Sequence, residues 1–277
     1  MINKNISVLI TSYNRKAQTI KCLEKLFEIN SNSKVYLVDD CSNDNTKEEI
    51  LTKFPMVNLI LGDGNLFWNR GMHLAWQFAL KNDYDFYLWL NDDVELDFNA
   101  FDELFTCAEF TNNQSIITGI IRSLNDEIIY GGYDMNKKLI IPNGKCNNVN
   151  YLNGNVVLIP KFVSNKIGIL DPFFHHDLGD VEYGWRALKN NIKIITTRVS
   201  IGIGLKNEIC RVRKNNTTLF NRFKILYSPL GSNPFINFYY KRKIYGIVYA
   251  FFYFIFLHLL NILPDSINFI IFGKKYQ

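Results

Sequence analysis

Carboxylates in this chain gather where apolar runs end. The stretch "FYLWLNDDVEL" (86–96) runs straight into Asn91-Asp92-Asp93, with Glu95 and Asp97 close behind. Adjacent anions repel one another unless a cation or water lies between them. This spacing therefore suits a divalent ion, a basic partner or a solvated turn. "VYLVDD" ends in the same way at Asp39 and Asp40, and "HHDLGDVEYGWR" brings His175, His176, Asp177, Asp180 and Glu182 together. Hard cations take carboxylate oxygens as ligands, and a positioned carboxylate or imidazole can accept a proton from an attacking hydroxyl. Adjacent histidines on one loop rarely converge on one ion without dispersed partners. Only His73 and His258 remain to supply them, so a site lining is the better reading of His175 and His176.

The elements that must carry these residues alternate. "ISVLIT" (6–11), "KVYLVDD" (34–40), "VNLILG" (57–62) and "DFYLWL" (85–90) read as strands. Between them, residues 15–29, 43–54 and 70–81 read as helices, the first with Ile20, Leu23, Leu26 and Phe27 at helical spacing. Strands separated by helices of this length predict a mostly parallel sheet covered on both faces. Ligands of such sheets bind at the carboxyl ends of the strands. The polar clusters fall there in succession: "TSYNR", "DDCSND", "GDGN" and "NDD". Further on, 115–122 reads as a strand, "IIYGGYDMNKKLIIPNGK" as a hairpin, "VNYLNGNVVLIP" as a strand pair, 179–191 as a helix and "IKIIT" as a strand. Of the four tryptophans, all are core candidates by pattern, and Trp68 and Trp185 lie close to the acids.

Composition sets the frame. The chain has 277 residues, 48% hydrophobic and 21% charged, as expected of a folded protein. Its five cysteines are scattered, odd in number and never spaced C-x-x-C, which argues against a disulfide framework or structural zinc and for a reducing compartment. "MINKNISVLI" reads as an entering strand and not as a secretory signal. The net charge of +5 conceals a division: from Leu205 onward eleven basic residues face two acidic ones, a net +9, which leaves −4 for residues 1–204. We expect a body over 1–204 and a basic, aromatic helical extension over 205–277. "IYGIVYAFFYFIFLHLLNIL" (244–263) is uncharged and follows Lys241-Arg242-Lys243. Twenty residues rising about 1.5 Å each are long enough to span a bilayer. His258, Asn261 and Gly246 interrupt the run, however, and its Tyr and Phe content suits an interface. A membrane-surface anchor is the preferred reading of 241–277, over a span or burial against the body or another subunit. The aromatic content also argues for a lipid surface over nucleic acid.

Taken in order, five segments resemble glycosyltransferase family 2, the nucleotide-sugar-dependent enzymes of GT-A type, and within it a rhamnosyltransferase-like subgroup. "ISVLITSYNR" is similar to the opening strand and loop, and "VYLVDDCSNDNT" to the segment VDD-x-S-x-D-x-T. "GNLFWNRGMHLAW" resembles the glycine–asparagine loop and its helix, "LWLNDDV" the DXD metal motif, and "GDVEYGWRALKNN" the acidic helix that carries the base. The resemblance implies a GT-A α/β fold and an inverting hexosyl transfer from a nucleoside-diphosphate sugar to a saccharide or lipid-linked saccharide, in cell-surface polysaccharide synthesis. It implies Mg²⁺ or Mn²⁺ held at Asp93, with Asp92 toward the ribose or donor sugar. Asp180 would be the base. Thr11, Tyr13, Asp39, Asp40, Asn65, Trp68 and Asn69 would bind the donor, and His175, His176, Glu182 and Trp185 would line the acceptor side. Localisation would be cytoplasmic, peripheral at the inner face of the cell membrane, with a monomer or a homodimer both open.

Three departures stand out. Gly179 replaces the glutamate usual before the base, and Trp68 stands where relatives often carry an arginine. The downstream metal-ligand histidine is missing, with Asn207 or water as its replacement. Two rival functions remain. A sugar-nucleotide nucleotidyltransferase would need a glycine-rich basic loop after the first strand, which "TSYNRK" is not. The other rival is a membrane-attached nucleotide-sugar-binding or scaffold protein that kept the fold and lost catalysis.

Overall fold

The computed structural model describes residues 4–206 and 212–273. The chain divides into two compact units, Met1–Pro172 with Gly179–Lys206, and Phe173–Leu178 with Asn207–Gln277. Against a boundary expected at 204, the short segment Phe173–Leu178 groups with the second unit. Asn207, suggested as a metal ligand, lies outside the described residues.

The first unit begins with β1 (Ile6–Ser12), α1 (Lys16–Ile29), β2 (Lys34–Asp39), α2 (Thr46–Lys53), β3 (Asn58–Leu61), α3 (Phe67–Ala79) and β4 (Phe86–Leu90). These four strands lie in the order β3-β2-β1-β4, all parallel. There follow β5 (Glu95–Leu96), α4 (Ala100–Phe110), β6 (Ile116–Arg122), β7 (Ile128–Tyr130), β8 (Gly132–Tyr133), β9 (Tyr151–Leu152), β10 (Val156–Pro160), α5 (Lys161–Ile167), α6 (Gly179–Lys189) and β11 (Ile194–Ile203). The sheet continues β4-β10-β6-β11-β5, with β10 antiparallel to both neighbours and β11 parallel to β6. The parallel half follows the sequence expectation, while the second half is mixed. The expected hairpin at 128–145 is present in short form, with Tyr133 bridging Leu139 antiparallel across a turn at 134–138, while β7 pairs with β6 and β8 with β9.

Both faces of this sheet are covered, which is why its strands are continuously apolar. Val8 and Ile10 of β1 and Phe86, Leu88 and Leu90 of β4 face one core with Leu23 and Leu26 of α1 and Leu104 of α4. The alternate residues Leu9, Tyr87 and Trp89 face the other, with Met72 and Trp76 of α3 and Tyr183 of α6. Period-two alternation divides each strand between two cores. Its carboxyl end is then left as the place for polar groups.

The second unit is helical: α7 (Leu219–Leu226), α8 (Pro234–Tyr245), α9 (Ile247–Ile262) and α10 (Asp265–Phe272). Asn233 caps α8 by accepting from the Phe235 N–H, with Pro234 at its first turn. Gly246, at φ +88°, then divides the long apolar run, so α9 keeps 16 residues. No helix among the described residues is long and apolar enough to cross a membrane. The end of α9 is closed by arginines. Arg213 donates to the carbonyls of Leu260 and Leu263, Arg222 donates to that of Leu263, and both pair with Asp265 at 2.7 Å. These guanidinium groups satisfy carbonyls that a helix end leaves without partners. Arg213 and Arg222 are buried. Part of the extension's positive charge is thus spent inside the second unit.

Candidate active site

The carboxyl ends of β1, β2 and β4 and the start of β10 come together in the first unit, because β1 lies between β2 and β4 and β10 runs against β4. Asp93, just beyond β4, points toward the loop after β1, where the Arg15 Nη1 donates to Asp93 Oδ2 at 2.8 Å and to Asp92 Oδ1 at 3.2 Å. Thr19 Oγ1 lies 3.4 Å from Asp92 Oδ2 and 2.7 Å from Ser12 Oγ, so β1, α1 and β4 are tied at one point. Asp92 is only 5% exposed. Burial and the charge of Asp93 push its pKa up to about 6, against the lowering influence of Arg15 and Ser12. Burial works against the charge of Arg15, but Asp92 and Asp93 raise its pKa all the same. Asp92, expected toward the donor, has this chain's own hydroxyls and guanidinium as its partners here, and Asp93 shares the guanidinium.

A hydrogen-bonded path leads from β4 to the helix acid. Asn91 Oδ1 accepts from the Trp68 indole Nε1 at 2.7 Å, and Asn91 Nδ2 donates to Asn155 Oδ1 at 2.8 Å. Next to Asn155, the Gly154 N–H donates to Asp180 Oδ2 at 2.9 Å, while the Val181 N–H donates to Asp180 Oδ1 at 2.8 Å. Asp180 is thus oriented through both oxygens at the first turn of α6, where the helix dipole favours its ionised form. Only glycine fits at 154: a Cβ there would stand 2.6 Å from the Trp68 ring and 3.2 Å from Asp180 Cβ.

Several expected donor contacts turn inward instead. Asp40, 3% exposed, accepts from the N–H groups of Gly64, Leu66 and Phe67, so it shapes the 62–67 loop and the start of α3. That capping also starts α3 at Phe67, before the expected residue 70. Asp39 is buried and accepts from the Ser42 N–H. Asn69 is fully buried; its amide donates to the Asp171 carbonyl, and its side chain fills the space beside Gly179. A Cβ at 179 would overlap Asn69, which gives the Gly179 departure a physical reason. Thr11 packs against Gly71 of α3. Tyr13 and Asn65 are exposed at the strand ends, and Trp68 is half-buried.

The residues expected on the acceptor side fall in both units. Glu182 is 0% exposed and pairs with Arg186 one helical turn on, at 3.0 Å, so it is a structural ion pair. Five residues at about 100° each put Trp185 some 140° around α6 from Asp180, and its ring lies under Lys189. His175 and His176 belong to the second unit, where they line a small cavity with Asp177, Ser232, Asn233 and Asn237. Arg15, Asn91, Gly154 and Asn155 are the residues that sequence reasoning left without a role. The signal was present for Arg15, which closes the first strand-end loop, and for Gly154, which sits in an Asn-Gly turn before β10.

Mg²⁺ or Mn²⁺ can be tested against the donor set. Two carboxylates already converge on one cationic group, and their hard oxygens suit either ion. Among the described residues no group of three or more His, Cys, Asp or Glu is arranged to hold a metal. The fit is therefore to an ion that takes one or two carboxylates and completes its shell with phosphate oxygens and water. His258 is occupied elsewhere, hydrogen-bonded to Tyr227 Oη at 2.6 Å in the second unit.

Comparison with known proteins agrees with this geometry. No curated protein matches the sequence. The structure is similar to Staphylococcus aureus TarS 1-349 in complex with UDP-GlcNAc, at TM-score 0.58 and 13% identity, covering 98% of this chain and 76% of that one. It is also similar to GalNAc-T7 with UDP, GalNAc and Mn²⁺, at TM-score 0.62 and 14% identity, covering 100% of this chain and 59% of that one. At such identities the likeness is one of fold, and the fold is that of the GT-A glycosyltransferases. The family model for glycosyl transferase family 2 matches residues 7–170. With more than half of its length matched, from β1 to the loop before α6, this chain belongs to glycosyltransferase family 2.

Proposed function

We propose that the chain is an inverting hexosyltransferase of the rhamnosyltransferase-like kind, moving a sugar from a nucleoside diphosphate to a saccharide or lipid-linked saccharide of a cell-surface polysaccharide. The observation that carries this reading is the path from Asn91, next to Asp92, through Asn155 and its neighbour Gly154 to Asp180, a carboxylate oriented for proton transfer. UDP accompanies the two similar structures named above, which supports a nucleoside-diphosphate donor.

In this reading, Asp180 takes the proton of the acceptor hydroxyl on a carboxylate oxygen as that hydroxyl bonds to the anomeric carbon. The bond from the anomeric carbon to the diphosphate breaks on the opposite face, and its electron pair leaves with the nucleoside diphosphate. Gly154 holds Asp180 in place, and Trp68 packs beside Gly154 while its indole N–H donates to Asn91. Asp93, with Asp92 behind it, would hold Mg²⁺ or Mn²⁺, whose chemistry is to neutralise charge on the departing diphosphate. Tyr13 and Asn65, exposed at the strand ends, are available to the donor.

The extension supports docking at a membrane surface, at the inner face of the cell membrane. Ile247, Val248, Phe251, Phe252, Ile255 and Leu259 of α9 are exposed along its length, and Lys241, Arg242 and Lys243 precede them. A lipid-linked acceptor would be met there.

The test is release of nucleoside diphosphate from a panel of nucleoside-diphosphate sugars with Mn²⁺ present. Turnover should fall by about 10²–10⁴-fold in Asp180→Asn, with nucleotide affinity unchanged. Equal turnover by the variant would remove Asp180 as the base. Nucleotide binding without turnover in the wild type would favour the catalytically silent alternative.

A further inference from the structure

We propose that Arg15 is a displaceable counter-cation: it occupies the dication position between Asp92 and Asp93 when no donor is bound, and it moves onto the diphosphate when donor and metal enter together. The inference rests on the donor reading given above and adds to it the order in which cation and nucleotide bind.

Three observations carry it. First, one guanidinium nitrogen of Arg15 lies 3.2 Å from an oxygen of Asp92 and 2.8 Å from an oxygen of Asp93. The two carboxylate side chains are only 7% and 8% exposed, and this guanidinium is the cationic partner they share. Second, the backbone and the head of Arg15 are held differently. Its carbonyl accepts from the Thr19 N–H and the Thr19 hydroxyl, which fixes the residue at the start of α1. Its side chain is 43% exposed, so the guanidinium can leave the acids while the helix stays in place. Third, the described residues offer an incoming ion no third acidic, histidine or cysteine ligand. An ion that must complete its shell with phosphate oxygens gains little by entering alone, since it would first have to expel a guanidinium.

These facts make nucleotide and metal binding mutually dependent. The metal arrives with the diphosphate that completes its shell, and the expelled planar guanidinium finds phosphate oxygens suited to its fork of donors. Coupling of this kind is reciprocal: the diphosphate must raise metal affinity by the factor by which metal raises diphosphate affinity. The arginine also keeps two buried anions neutralised between turnovers.

Mn²⁺ binding followed by electron paramagnetic resonance tests this without turnover, because the free aquo ion gives the signal. Wild type, Arg15→Gln and Arg15→Lys are each titrated with Mn²⁺ alone and with Mn²⁺ plus UDP. Loss of a part-exposed ion pair predicts that Arg15→Gln binds Mn²⁺ alone about fivefold tighter than wild type, and that its gain in Mn²⁺ affinity on adding UDP shrinks. Arg15→Lys keeps a cation on the loop and is expected to follow the wild type. An Arg15→Gln protein that binds UDP with Mn²⁺, yet binds Mn²⁺ alone no tighter than wild type, overturns the exchange and leaves the donor reading standing. A wild type that binds no nucleoside diphosphate at any Mn²⁺ concentration overturns both.

Discussion

Asp93 lies just beyond β4 and Asp180 in the first turn of α6, and their neighbours differ. Asp93 faces a guanidinium and sits beside a second acid, a setting that attracts cations. Asp180 receives two backbone N–H groups and so keeps a fixed direction in which to accept a proton. The residue before it shows how tightly this corner is filled. Gly179 leaves room for the buried side chain of Asn69, whose amide in turn holds the Asp171 carbonyl. Gly179→Ala should therefore destabilise the fold by roughly 1–3 kcal/mol, as overpacking does. The double variant with Asn69→Gly should regain part of that loss, because the overlapping atoms are gone. Chemical denaturation of the two variants checks this, and an Ala variant as stable as wild type would show that the corner can relax. The sequence displayed these acids plainly but not their directions. Asn69, Asp40 and Glu182 have polar types compatible with a ligand, and only the packing around them reveals that each turns toward the protein's own backbone or an arginine.

At the scale of elements, the parallel half of the sheet was legible because continuous apolar strands alternate with helices of regular period. The antiparallel course of β10 was not, since an apolar run such as "VVLI" carries no mark of hydrogen-bond direction. The placement of β10 matters, because it brings Gly154 and Asn155 beside Asn91 and so links the strand-end acids to α6. In the second unit the apolar run was legible, and so was its interruption at Gly246. The use of Arg213 and Arg222 to close α9 was hidden, because a long-range cap leaves no local spacing. What remains exposed on α9 is aromatic and aliphatic. Phe251 and Phe252 are 56% and 66% exposed, so replacing both with Glu removes little packing. The pair of substitutions should abolish co-sedimentation with anionic phosphatidylglycerol vesicles while leaving the melting temperature unchanged. Undiminished vesicle binding would show that α9 is not the docking element.

For the molecule as a whole, family membership and the GT-A fold follow from motif order and topology together, while the sugar and acceptor depend on contacts that the strand-end motifs do not specify. The central claim is that the acids at the ends of parallel strands grip a cation-bound nucleoside diphosphate. The donor site should then work only as a unit of protein, ion and phosphate, because among the described residues no third acidic, histidine or cysteine ligand joins Asp92 and Asp93. Calorimetric titration of UDP and the other nucleoside diphosphates into wild type and Asp93→Asn, each with and without Mn²⁺, measures this directly. Wild type is expected to bind one of them at least about tenfold more tightly with Mn²⁺, a difference of about 1.4 kcal/mol, and Asp93→Asn to lose the enhancement. Equal affinity with and without Mn²⁺ in the wild type, or an enhancement that survives in Asp93→Asn, would contradict it.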